Sequence, residues 1–145
     1  VSEVGVIDAE KLTVLRQTST SPCDGPIGLA MDVKNRRLFS VCGNKSMAVI
    51  DADSGKVIAT VPVGGGASGA GFDPSAGLAF SANGGDGTLT VVREVNGKYE
   101  AAQTVPTTRG ARTITVDPKT NSVYLPAVEY AAPPAAAAAA VAGSA

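Results

Sequence analysis

Apolar residues in this chain fall into short runs, each closed by a cluster of turn formers. Ile27 to Val33, Arg37 to Val41, Ser46 to Asp51 and Lys56 to Val63 are four such runs. Lys34-Asn35-Arg36, Gly43-Asn44-Lys45 and Asp53-Ser54-Gly55 separate them. Runs of about 5–8 residues, rich in Val and Ile and bounded by Gly, Asn, Asp and Ser, predict β-strands joined by tight turns. A second set follows from Gly69 to Val105, where Asn96-Gly97 is a strong two-residue hairpin signal. Helix is poorly supported: Ala135 to Ala140, after Pro133-Pro134, is the only helix-friendly stretch and has no polar face.

The pattern repeats. Phe39-Ser40-Val41-Cys42 lies 41 residues before Phe80-Ser81-Ala82-Asn83, and Tyr124-Leu125-Pro126-Ala127 follows 44 residues later. An aspartate-led turn precedes each copy, starting at Asp32, Asp73 and Asp117. A later element also recurs: Val6-Ile7-Asp8 matches Val49-Ile50-Asp51, 43 residues on. A period near 42 residues with four strands per unit predicts an all-β fold of β-propeller blades.

Counting strands gives two complete four-stranded blades and two half blades. Residues 1–20 supply the outer two strands of one blade. Residues 27–64 and 69–106 form whole blades, and residues 112–129 supply the inner two strands of another. The partial propeller therefore runs over residues 1–130, and 131–145 is a low-complexity Pro/Ala tail that cannot build a packed core. Propellers usually close with four to eight blades, so a single chain is expected to be an incomplete ring. It is read first as part of a longer propeller and second as half of a two-chain ring. Open blade faces and strand edges invite self-association or a protein partner.

The motif pattern resembles the YVTN-repeat β-propellers, the YncE-like proteins. Phe80-Ser81-Ala82-Asn83, followed by Gly84-Gly85-Asp86-Gly87-Thr88-Leu89-Thr90-Val91-Val92, is a loose version of the naming motif. The first copy keeps an aromatic at Phe39 but has Cys42 in the Asn position, and the third keeps Tyr124 but has Ala127. The resemblance implies a propeller architecture and a periplasmic or extracellular location. Related propellers include lactonases and quinone- or haem-dependent oxidoreductases.

Composition narrows the chemistry. Hydrophobic residues make up 44% of the chain and aromatics only 4%, with no Trp, so the core is aliphatic. The 12 basic and 13 acidic residues are mixed, which argues against a nucleic-acid footprint. No apolar run reaches the length of a membrane span, and no leader is visible in a chain that starts at Val1. There is no His, which removes His-based triads and imidazole metal ligands.

Three stretches call for chemical scrutiny. Asn83-Gly84-Gly85-Asp86-Gly87 lacks the helix or lysine of a phosphate loop and reads as a hairpin whose glycines take positive φ. Asp51-Ala52-Asp53-Ser54-Gly55 begins like a calcium loop but puts Gly55 at the fifth place and Pro62 at the twelfth, so it reads as an Asx-type turn. Cys23, in the loop leading into the first strand of its blade, and Cys42, at the end of the second strand, fall at the same sheet edge. Both a disulfide, contributing roughly 3 kcal/mol, and two unpaired thiols fit that placement. No metal site and no cofactor are expected.

Strand order sorts the loops onto two faces. Asp24, Asn44, Lys45, Asn83, Asp86, Arg109 and Arg112 fall on the face that propellers, by resemblance, use for ligands. Arg109 and Arg112 suit an anion or an acidic peptide. Lys34, Arg36, Arg37 and Lys119 fall on the opposite face as solubilising turn residues. The expected function is a non-catalytic module that binds a protein or small ligand, or scaffolds an assembly, through its loop face. Two alternatives are a piece of a propeller enzyme, lactonase-like or quinone/haem oxidoreductase-like, with catalytic groups in other blades, and a structural subunit of a larger assembly.

Overall fold

A computed structural model of the chain describes residues 1–129. The Pro/Ala tail assigned to 131–145, with its helix-friendly alanines, and the last residue of the 1–130 span lie outside the described residues. Twelve strands form among the described residues: β1 Glu3–Asp8, β2 Thr13–Ser19, β3 Pro26–Asp32, β4 Arg37–Cys42, β5 Ser46–Asp51, β6 Val57–Pro62, β7 Ala67–Asp73, β8 Leu78–Asn83, β9 Thr88–Val95, β10 Lys98–Pro106, β11 Thr115–Asp117 and β12 Ser122–Tyr124. No helix occurs among the described residues.

The strands form four antiparallel sheets in chain order: β1–β2, β3–β4–β5–β6, β7–β8–β9–β10 and β11–β12. The fold is therefore all-β, with two four-stranded blades flanked by two half blades. Successive sheets stack side by side. β3 lies against β7 and β7 against β11, so the innermost strands adjoin in series, while β6 lies against β10 further out.

The innermost strands approach so closely that side chains have no room. A Cβ on Gly28 would run into the carbonyl oxygen of Ser68, and one on Gly69 would sit 2.7 Å from the carbonyl oxygen of Arg112. The two glycines are 41 residues apart and do the same work in consecutive blades.

Turn chemistry repeats with the same period. Asp32, Asp73 and Asp117 each accept a backbone N–H from two or three residues on, at 3.1 Å from Asn35, 2.8 Å from Ser75 and 2.9 Å from Lys119. Asp8 and Asp51 do so in the turns between β1 and β2 and between β5 and β6. This is the Asx geometry that makes aspartate a turn residue. Asn96 and Gly97 both take positive φ, 51° and 78°, as a two-residue hairpin between β9 and β10 requires.

Three apolar layers hold the stack together, one at each boundary between sheets. Alternating residues of one strand serve two different layers, because successive side chains point to opposite faces. Phe39, Val41, Met47 and Val49 face the following blade and meet Phe72, Ala79, Val92 and Tyr99. Cys42, Ala48 and Ile50 face back towards Val4 of the first half blade. Phe80, Leu89 and Val91 repeat the forward-facing role against Ile114, Val116 and Val123. Each fully buried aliphatic or aromatic side chain contributes about 1.5–3 kcal/mol. Tyr124, third in the series of Phe39 and Phe80, is 55% exposed, since no further sheet lies in front of it among the described residues.

Two expectations change. Arg36 and Arg37 are not merely solubilising: Arg37 pairs with Asp51 at 2.6 Å and Arg36 with Asp53 at 2.7 Å. The cause is register, which places Arg37 directly opposite Asp51 on the neighbouring strand. Asp53 is consequently an ion-pair partner, while Asp51 both caps the turn and pairs with Arg37. The inner strands of the last half blade are also shorter than expected, three residues each at β11 and β12.

Candidate loop-face site

Loops entering the first strand of each blade and loops joining its second and third strands meet on one face, tied by backbone hydrogen bonds. Gly43 N–H donates to Gly25 O at 2.9 Å, and Gly84 N–H donates to Gly66 O at 3.1 Å. The ties repeat 41 residues apart and answer what the glycine-rich turn after Phe80 is for. Only Gly87 in that turn has positive φ, at 66°. Gly84 and Gly85 are needed for close approach instead. A Cβ on Gly84 would lie 2.7 Å from Arg112 Cβ, and one on Gly85 would lie 2.9 Å from Gly65 O. The turn between Asn83 and Thr88 is therefore a packing surface for the loop before β7, not a phosphate cradle. That corrects the expectation that every glycine there serves a positive φ.

Most of the candidate residues on this face are engaged internally. Asp24 accepts the Ser2 hydroxyl at 2.5 Å. Asn44 donates to Pro22 O at 2.9 Å and accepts the Ser46 hydroxyl at 2.6 Å. Asp86 accepts the Gly65 N–H at 2.6 Å, and Arg109 Nε donates to Gly85 O at 3.1 Å. Asn83 does not face solvent at all. It is fully buried, donating to Thr90 Oγ1 at 2.8 Å and Thr88 Oγ1 at 3.1 Å and accepting from Ser81 at 2.7 Å. A buried amide needs such partners, and here Asn83 locks β8 to β9.

Two cations are left. Lys45 and Arg112 are exposed, and their side chains make no hydrogen bond or ion pair among the described residues. Arg112 stands where two depressions meet. One, of about 390 Å³, is lined by Ile27, Gly66, Ser68, Gly84 and Gly110 as well as Arg112. The other, of about 670 Å³, runs past Arg109, Thr113, Pro126 and Val128. Ile27, Gly66 and Ser68 were not legible as site residues, because only the meeting of three blades brings them to one hollow.

Cys23 and Cys42 are joined as a disulfide with Cα atoms 5.7 Å apart, at the end of the β3–β4 ladder. Both are fully buried, between the first half blade and β5. The bond pins the loop of Asp24 to the end of β4, next to the turn that holds Asn44. Among the described residues no group of three or more His, Cys, Asp or Glu is placed to hold a metal ion. No helix is long and apolar enough to cross a membrane among those residues.

On the opposite face, Asp73 joins two blades. It accepts the Ser75 hydroxyl at 2.6 Å and the Asn121 amide at 3.0 Å. The Ser75 hydroxyl bond first, then the Asn121 bond across the blade boundary, hold its carboxyl below the usual carboxylate range, against the opposing effect of burial.

No family model matches the chain, and no curated protein sequence does. Solved structures match its fold. Hydrazine synthase of Kuenenia stuttgartiensis superposes with a TM-score of 0.74 and 20% identity, over 85% of this chain and 35% of that one. The β-propeller domain of Cps50 (Swd1) from Myceliophteria thermophila gives a TM-score of 0.56 and 19% identity, over 67% of this chain and 31% of that one. The chain spans about a third of the length of either structure, and its fold is that of part of a β-propeller.

Proposed function

We propose that the chain is a non-catalytic propeller module that binds an anionic group, on a protein or a small ligand, at the loop-face hollow beside Arg112. One observation carries this reading. Of seven charged or amide residues assigned to the face, five have side-chain hydrogen bonds within the fold, and Lys45 and Arg112 make no side-chain hydrogen bond or ion pair among the described residues. Arg112 lines that hollow together with Ile27, Ser68 and Gly110. A guanidinium offers a planar fork of donors matched to carboxylate or phosphate. The disulfide favours an oxidising compartment, so the module works outside the cytosol.

The test is titration calorimetry of the chain with a short polyglutamate peptide and, separately, with inorganic phosphate. Arg112→Ala should weaken the probe that binds by about 10-fold or more, since a hydrogen bond to a charged group contributes about 1.5–3 kcal/mol. Wild-type affinity should also fall with added salt. Failure of both probes to bind, or equal binding by wild type and Arg112→Ala, overturns the reading.

A further inference from the structure

Two Asn-Gly dipeptides occur in the chain, Asn83-Gly84 and Asn96-Gly97. In such a pair no side chain shields the glycine nitrogen, so it can attack the carboxamide of the asparagine before it. The fold treats the two pairs in opposite ways. The Asn83 side chain is fully buried and held on both sides, donating to Thr88 and Thr90 and accepting from Ser81. The Gly84 nitrogen is also engaged, its N–H donating to Gly66 O at 3.1 Å. Neither reacting group at this pair can move without breaking the core of its blade.

Asn96-Gly97 has none of these restraints. Both residues are exposed at the tip of the β9–β10 hairpin. Among the described residues the Asn96 carboxamide makes no hydrogen bond, and neither does the Gly97 N–H. Nothing stands within 4 Å of a Cβ built on Gly97, so no neighbour braces the turn. The attack requires the turn to open, and a tip without packing contacts opens at the low end of the local stability scale.

We propose that Asn96 is a site of spontaneous covalent modification, deamidating through a succinimide to aspartate and isoaspartate while the blade stays folded. The Gly97 nitrogen bonds to Asn96 Cγ and loses its proton, and the carboxamide nitrogen leaves as ammonia. Water then opens the ring. Cleavage between Cγ and the Gly97 nitrogen gives aspartate. Cleavage between the α-carbonyl and that nitrogen gives isoaspartate, whose main chain runs through the side chain and is one carbon longer. Aspartate before glycine suits the same two-residue turn. The longer main chain of isoaspartate does not. The strain falls on the first pairs beyond the turn, Val95 with Lys98 and Glu94 with Tyr99. Tyr99 is the residue whose ring meets the edge of Phe39 in the boundary between the two complete blades. The isoaspartate product therefore loosens an interblade contact from a distance, whereas the aspartate product leaves it intact.

Peptide mapping by mass spectrometry after incubation of the folded chain at mildly alkaline pH tests the proposal. The peptide holding Asn96 should acquire the mass of deamidation as two products, aspartate and isoaspartate, while the peptide holding Asn83 keeps its amide. In urea, which removes the fold, both peptides should deamidate. The isoaspartate fraction, separated by ion exchange, should unfold at a lower urea midpoint than fresh wild type. Freshly prepared Asn96→Asp should match wild type, which separates the added main-chain carbon from the added charge. An Asn96 peptide that stays amidated in the folded chain overturns the proposal, as does equal deamidation of Asn83 there. An isoaspartate fraction with the wild-type midpoint, or an Asn96→Asp midpoint as low as that fraction, overturns the link to Tyr99.

Discussion

Phe39 stacks on Phe72 across the boundary between the two complete blades, with ring centroids 5.3 Å apart and planes 12° from parallel. Tyr99 meets the edge of Phe39 from the outer strand of the same neighbour, at 6.0 Å and 68°. Three aromatic rings, in a chain that has few, thus gather at one boundary. Aromatic pairs add about 0.5–1.5 kcal/mol beyond area burial.

Replacing Phe39 by Ala empties the centre of that layer. The expected cost is about 3–5 kcal/mol, read as a lower urea midpoint with little change in slope. Phe39→Leu should retain most of the lost stability, because an aliphatic side chain still fills much of the space.

Breaking the Cys23–Cys42 bond releases a 19-residue loop. Unfolding in the presence and absence of reductant should differ by roughly 3 kcal/mol. Cys23→Ala with Cys42→Ala should match the reduced wild type, since both sites are apolar and buried.

Gly66 and Gly77 both have positive φ, 67° and 66°, but different surroundings. A Cβ on Gly66 would lie 2.5 Å from Gly85 N, whereas nothing stands within 4 Å of one on Gly77. Gly77→Ala should cost about 1 kcal/mol, the backbone penalty alone. Gly66→Ala should cost clearly more, because the loop joining β6 to β7 must move off its neighbour. Thermal unfolding of the two variants in parallel compares them.

Asp73 predicts acid sensitivity. Its carboxyl pKa is lowered in the folded chain, first by the Ser75 hydroxyl and then by Asn121. A lowered folded-state pKa means that the unfolded chain takes up the proton first. The stabilisation is therefore complete above the ordinary aspartate pKa of about 4 and is lost as pH falls through the lower folded-state value. Stability measured down through this window should decline less steeply for Asp73→Asn than for wild type. Equal pH slopes contradict the assignment.

The architecture was readable because its signals are local and repeated. Phe39, Phe80 and Tyr124 recur at a blade's spacing, the aspartate turns recur with them, and Asn96-Gly97 specifies its hairpin with two residues. What could not be read depends on partners distant in sequence. Gly84 and Gly85 look like turn glycines until the loop of Gly65 and Gly66 and the side chain of Arg112 are brought against them. Asn83 looks like a loop ligand because it ends its strand, but it turns inward to Thr88 and Thr90 on β9. The pairing of Arg37 with Asp51 was within reach, since strand register alone places them opposite. The choice of Arg112 over Arg109 was not, because it depends on which cation a nearby carbonyl captures.

Consecutive four-stranded sheets stack face to face, with equivalent aromatics at successive boundaries. Nuclear Overhauser contacts in the labelled chain test it most directly. Cross-peaks should connect the ring protons of Phe39 with those of Phe72, and the ring protons of Phe80 with the methyl groups of Ile114 and Val116. Absence of both sets from a folded, well-dispersed spectrum would contradict the stacked-blade account.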